Sequence, residues 1–171
     1  MTESHIVHPL EPVFSSTSRI LILGTMPSPK SREYGFYYMH PQNRFWKVLP
    51  AVFNEQLKYS NADGLDAIEE RKDFLLRHNI ALWDVLHSCD IKGAGDSTIK
   101  NPVPNDFSLI LNVAHINKIF CTGATAYKFY TKLCSIKTGI AAIYLPSTSP
   151  ANQGRWPTEK LIEEYRKLLL S

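Results

Sequence analysis

Four short stretches of the chain are almost continuously apolar: residues 19–24, 80–84, 118–122 and 141–145. Runs of this length without polar alternation predict strands covered on both faces, the mark of a parallel sheet. Helical patterns lie between them. Residues 64–77 put Leu65, Ile68, Leu75 and Leu76 on one stripe among charges. Residues 107–114 predict a helix capped by Asn105 or Asp106, whose short side chain accepts from a free helical N–H. Gly123 opens a helix over 124–133, and Pro157 opens a last one that buries Leu161, Ile162, Tyr165, Leu168 and Leu169. Strands alternating with helices predict an α/β fold: a central four-stranded, mainly parallel sheet with helices on both faces, formed by residues 1–171 as a single domain.

A chain of 171 residues with 44% hydrophobic and 20% charged residues fits one ordinary core and excludes a disordered or fibrous protein. The net charge of +3 permits a polyanionic partner without requiring one. Its distribution is uneven: residues 1–50 carry 5 basic and 3 acidic groups, residues 51–100 carry 6 and 9, and residues 101–171 carry 8 and 4. The two ends can therefore share a positive face. Three widely spaced cysteines, Cys89, Cys121 and Cys134, form no metal or cluster motif, and Cys121 in its apolar run reads as a buried thiol. No secretory signal or membrane-length apolar run is present, so the expectation is a cytoplasmic protein that needs no membrane, metal or cofactor.

In an open α/β sheet, ligands bind beyond the carboxyl ends of the strands. Three unusual stretches each follow a predicted strand. The first runs from Gly24-Thr-Met-Pro into Tyr37, Tyr38, His40, Asn43, Arg44, Phe45 and Trp46. Aromatic faces stack planar ligands, and an Asn amide offers both a donor and an acceptor. Phe45 and Trp46 read as the first buried residues of a helix, whereas Tyr38 and Asn43 read as functional. The last stretch, Leu145-Pro-Ser-Thr-Ser-Pro-Ala-Asn152 with Arg155 beyond it, offers small hydroxyl residues that let a phosphodiester approach closely. The middle stretch, residues 84–105, reads as a loop holding Asp84, His87, Cys89, Asp90 and Asp96. His87 and Cys89, two residues apart on a loop, are weak as a nucleophilic pair. No nucleotide-binding glycine motif occurs.

Taken together, Gly24-Thr-Met-Pro, Tyr-Tyr-Met-His-Pro-Gln-Asn43-Arg-Phe-Trp, Asn101-Pro-Val-Pro-Asn-Asp-Phe and Leu145-Pro-Ser-Thr-Ser-Pro-Ala-Asn resemble the uracil-DNA glycosylase superfamily, most closely its hypoxanthine-DNA (deoxyinosine) glycosylase branch. The mismatch-specific thymine/uracil branch carries a similar His-Pro-x-Asn-Arg-Phe-Trp-Lys-Val stretch. The resemblance implies a monomeric repair enzyme that acts on double-stranded DNA containing deaminated bases, flips the base out and hydrolyses its N-glycosidic bond. It implies catalytic roles for Asn43 and His40, base contacts from Thr25, Met26, Pro27, Tyr38 and Asn105, and DNA contacts from Ser147, Thr148, Ser149, Asn152 and Arg155. Asn43 would orient water or bond the departing base.

Two departures stand out. Where other branches have a water-activating Asp or Asn in the first motif, this chain has Met26, and where one branch has a Leu wedge in the second motif, it has about Ala151. No carboxylate lies in either motif, which argues against a covalent or lyase mechanism. The alternatives are a mismatch-specific uracil or thymine glycosylase, and a non-catalytic module that senses damaged DNA.

Overall fold

In a computed structural model that describes residues 2–170, the chain begins with β1 (Glu3–Val7), β2 (Ile20–Gly24), α1 (Pro29–Tyr34), α2 (Phe45–Val52) and α3 (Gly64–Arg77). It continues through β3 (Ile80–Asp84), β4 (Leu86–Lys92), β5 (Lys100–Pro104), α4 (Ser108–Leu111), β6 (Lys118–Thr122), α5 (Ala124–Leu133), α6 (Ser135–Thr138), β7 (Ala142–Leu145) and α7 (Thr158–Tyr165).

The four apolar runs form one parallel sheet in the order β3-β2-β6-β7, with helices packed against it. Registers such as Gly24 beside Asp84 and Thr122 beside Leu145 bring all four carboxyl ends to one edge. β2 and β3 are covered on both faces as expected, with Leu21, Ile22, Leu23, Ala81 and Leu82 wholly buried. β7 differs. As the outermost strand it leaves Ile143 and Tyr144 more than a third exposed, because among the described residues nothing pairs with its free side.

The stretch 84–105 is not a loop. β4 and β5 form an antiparallel pair, β1 adds to β4, and the three make a second sheet in the order β1-β4-β5. The sequence hides it for a physical reason. Irregularities in the β4–β5 register at Leu86, Ser88 and Asp90 break the alternation, and Pro102 and Pro104, poor strand residues, are tolerated because β5 is an edge strand. The two sheets meet at Asp84: only Val85 separates β3 from β4, and Val85 N–H and Leu86 N–H donate to the carbonyls of Gly24 and Thr25 at 2.8 and 3.1 Å.

The helix over 64–77 has the expected ends but a different buried stripe. Ala67, Ile68, Arg71, Phe74 and Leu75 face inward, while Leu65 is 79% exposed and Leu76 is partly exposed. A buried arginine at the centre disguises the stripe. Arg71 donates to the carbonyls of Ala67 and Tyr59 and to Asn61 Oδ1, and lies over the Trp46 ring, 5.5 Å from its centroid. α4 is capped by Asp106, whose Oδ1 accepts from Ser108 N–H at 3.0 Å, and not by Asn105. α7 buries Leu161 and Tyr165, and the turn that follows it buries Leu168 but leaves Leu169 half exposed. Among the described residues no helix is long and apolar enough to cross a membrane.

Candidate active site

A cleft of about 580 Å³ opens at the carboxyl ends of β2, β3 and β6. Its walls come from the first loop, the Ser-Thr-Ser loop, the end of β3 and the tip of the β4–β5 connection. Of the residues singled out by sequence, Thr25, Met26, Pro27, Tyr38, His40, Asn43, Ser147, Thr148, Ser149 and Asn152 line it together.

Asn43 has a fixed orientation. Phe45 N–H and Thr148 Oγ1–H both donate to Asn43 Oδ1, at 2.9 and 2.8 Å. A backbone N–H can only be met by oxygen, so the amide presents its Nδ2–H2 group to the cleft. Thr148 is therefore turned inward, 1% exposed, with its hydroxyl spent on Asn43. Unlike its serine neighbours, that side chain turns its hydroxyl to Asn43 rather than outward. Arg44 locks the same junction. Its backbone N–H donates to Thr148 O at 3.2 Å, and its guanidinium donates to Ser149 O at 3.2 Å and Trp156 O at 2.6 Å.

Ser147 Oγ and Ser149 Oγ each accept a backbone N–H, from Ser149 at 3.1 Å and Ala151 at 3.2 Å, so both hydroxyl hydrogens are left to donate outward. Asn152 Nδ2 closes the loop on Ser147 O at 2.9 Å. Ala151 lines the cleft at its exposed rim, and Arg155 is exposed beyond it without lining it.

Tyr38 stacks one face of its ring on Phe45, with centroids 3.9 Å apart and planes 10° from parallel. Its φ of 57° places it in the left-handed region, costly for a bulky residue. Neighbouring bonds hold it there: Met39 N–H donates to Ser31 Oγ at 3.0 Å, and Asn61 Nδ2 donates to His40 O at 2.9 Å. The Tyr38 hydroxyl is bonded to Thr122 Oγ1 at 2.8 Å, and burial, assisted by the Asp84 charge, pushes its pKa well up. His40 Nδ1 accepts from Gln42 N–H at 3.1 Å, which keeps the ring proton on Nε2 as a donor.

The other wall carries carboxylates, which neither motif supplies. Asp84 closes β3 and is nearly enclosed. Its Oδ2 is 2.8 Å from His8 Nε2, with the two side chains 5% and 2% exposed. Leu10 N–H donates to His8 Nδ1, so the ring proton sits on Nε2 and is given to Asp84. Asp84 Oδ1 lies against Gly24, where a Cβ would come within 2.6 Å of it and 2.8 Å of the Tyr38 hydroxyl. Only glycine fits there. Asp96, at the tip of the β4–β5 connection, also lines the cleft, as does Thr25. Sequence reasoning missed His8, because its partner at the end of β3 lies 76 residues away and no local pattern ties the two.

Asn105 is the one base-contact candidate that the structure places elsewhere. Its Nδ2 donates to the carbonyls of Asp84 and Leu86 at 2.9 and 3.1 Å, so the side chain clamps the turn between β3 and β4 and lines a separate cavity beside α4. His87 and Cys89 do not pair: His87 is exposed, Cys89 is buried, and burial raises the thiol pKa, the opposite of what a nucleophile needs. Cys121 and Cys134 are likewise buried and free.

The sequence model of the Uracil DNA glycosylase superfamily matches residues 11–170. A hypoxanthine DNA glycosylase of Methanosarcina acetivorans is 33% identical over 143 residues, covering 82% of this chain and 85% of that protein. A hypoxanthine DNA glycosylase of Methanosarcina barkeri is 35% identical over 103 residues, 60% of this chain, and the match spans 61% of that protein's length, less than two thirds. The solution NMR structure of a Methanosarcina acetivorans protein provisionally described as a uracil DNA glycosylase superposes with a TM-score of 0.74 at 28% identity, covering 95% of this chain and 98% of that one.

Proposed function

Since the chain belongs to the uracil DNA glycosylase superfamily, we propose that it is a monofunctional DNA glycosylase. It takes a deaminated base, hypoxanthine foremost, out of duplex DNA and hydrolyses the N-glycosidic bond, leaving an abasic site. The observation that carries this reading is the orientation of Asn43, whose oxygen is committed twice and whose N–H group faces a cleft at the strand ends. The two Methanosarcina relatives named hypoxanthine DNA glycosylase support the choice of base.

The chemistry follows from the charges. Extruding the base costs unstacking energy, least for a poorly paired lesion such as inosine. In the cleft the base stacks on the Tyr38 face opposite Phe45. As the C1′–N bond stretches, the sugar gains oxocarbenium character and the base gains negative charge. Asn43 Nδ2–H and His40 Nε2–H are donors placed for that developing anion. An amide N–H needs no proton loss to act, so it stabilises the leaving group by electrostatics rather than by acid catalysis. The free hydroxyl hydrogens of Ser147 and Ser149 hold the phosphates beside the extruded sugar, and Asn152 and exposed Arg155 extend that contact along the duplex. Among the described residues no lysine lines the cleft, so no amine is at hand for a Schiff base, and the product is an intact strand with an abasic site.

The test is single-turnover incubation with labelled duplexes carrying inosine, xanthine, uracil or mismatched thymine, analysed before and after hot alkali. Alkali-dependent breakage, fastest with inosine, is the expected result. Breakage before alkali would contradict the monofunctional reading. No breakage with any duplex would overturn the enzyme reading.

A further inference from the structure

We propose that Asp96 is the group that positions the attacking water and takes its proton, standing in for the acid that the first motif lacks at Met26. The inference rests on the glycosylase reading above. The Asn43 amide shows only N–H to the cleft, and a donor cannot draw a proton from water. The nucleophile therefore needs an acceptor from elsewhere on the lining. Asp84 is poorly suited, since Oδ2 is held by buried His8 and Oδ1 is pressed against Gly24 and the Tyr38 hydroxyl. Asp96 is free of such ties and keeps solvent contact at the mouth, where water enters.

Its placement is built, not incidental. Asp96 opens a one-turn helix, Asp96–Thr98, at the tip of the β4–β5 connection. Thr98 Oγ1 accepts from Lys92 N–H at 2.9 Å and donates to Gly95 O at 2.6 Å, while Gly95 N–H donates to Lys92 O and Thr98 N–H to Gly95 O. That knot fixes the tip, and Asp96 shares the cleft lining with Met26, the position that carries no polar group. The ionisable groups around Asp96 are Asp84 at the end of β3, the buried Cys89 thiol on β4, and Tyr38 and His40 elsewhere on the lining. Desolvation by the cleft walls raises the Asp96 pKa, and the Asp84 charge adds to the rise. A raised carboxyl pKa is what a general base working near neutral pH requires.

The step balances within the cleft. The water oxygen bonds to C1′ as the C1′–N bond breaks, and the electron pair of that bond leaves with the base. The water's proton passes to the Asp96 carboxylate, and the departing base anion recovers a proton from Asp96 or from solvent.

The test compares wild type with Asp96→Asn and Asp96→Glu in single-turnover cleavage of an inosine duplex across pH. Wild-type rates should rise with pH as the carboxyl ionises, over a range above that of an ordinary carboxylate. Asp96→Asn should be about 100-fold slower or worse, as general-base losses run, should lose that pH-dependent limb, and should bind the lesion duplex within twofold of wild type. Asp96→Glu should recover part of the rate, which a merely structural role would not predict. An Asp96→Asn rate within threefold of wild type, or an unchanged limb, would overturn this assignment while leaving the glycosylase reading intact. A wild-type protein that cleaves none of the lesion duplexes would overturn both.

Discussion

The two walls of the cleft have opposite electrical character and are built by opposite means. On one side, the first loop and the Ser-Thr-Ser loop are knitted together by bonds that consume oxygens: Asn43 Oδ1, Thr148 O and Ser149 O are all occupied, and N–H and O–H groups are left facing the cleft. On the other side, Asp84 and Asp96 are acceptors supplied by the end of β3 and the hairpin of the second sheet. Glycosidic cleavage makes the same division, with an anion leaving on one side of C1′ and a water giving up a proton on the other. For the proposed reaction, a wall of donors beside carboxylates would match both charges before the substrate arrives.

Breaking the donor wall should have the largest effect. Asn43→Ala removes the amide from the leaving group and should slow single-turnover base release by about 10²–10³, in line with the loss of one preorganised donor. Affinity for the lesion duplex, measured by fluorescence anisotropy, should change little, because the contact strengthens only as the bond breaks.

The acceptor wall is anchored by His8, so His8→Ala should act on stability first. It leaves a buried carboxylate without its donor, a loss of about 2 kcal/mol on the scale of hydrogen bonds to charged groups, readable as a lower denaturant midpoint in chemical unfolding. A midpoint equal to wild type would mean that Asp84 finds another partner or water.

Thr148→Val sharpens the contrast at low cost in volume. The hydroxyl that holds the Asn43 oxygen disappears, the amide can rotate, and base release should slow by roughly tenfold, about 1.4 kcal/mol. The melting temperature should move little, since one of the two bonds to Asn43 Oδ1 remains.

The donor wall was legible in the sequence because its residues are contiguous. Tyr38, His40 and Asn43 fall within one loop and Ser147, Thr148 and Ser149 within another, each after a strand whose apolar run is unmistakable. Reading that far did not reveal which residues touch substrate and which support them. Thr148 looks like its serine neighbours, yet its hydroxyl is buried against Asn43, and Asn105 looks like a base reader but clamps two backbone carbonyls.

The acceptor wall was illegible for a different reason. Asp96 rests on the β4–β5 hairpin, where prolines and register breaks erase the period-two pattern, and Asp84 at the end of β3 is held by a contact with His8 that no local spacing announces. The absence of an acid from the first motif was plain in the sequence at Met26. That a carboxylate, Asp96, reaches the same cleft from the hairpin of the second sheet was not.

The measurement that tests this division most directly is single-turnover release of hypoxanthine from an inosine duplex by Asn43→Asp beside Asn43→Ala and wild type. The aspartate can still accept from Phe45 N–H and Thr148 Oγ1–H, so the local structure is kept while the N–H facing the cleft becomes an oxygen. If Asn43 serves the departing anion, Asn43→Asp is slower than Asn43→Ala, because a negative group now faces a growing negative charge. An Asn43→Asp rate equal to or above wild type would contradict the account, for it would show that this position works through water and that a better base improves it.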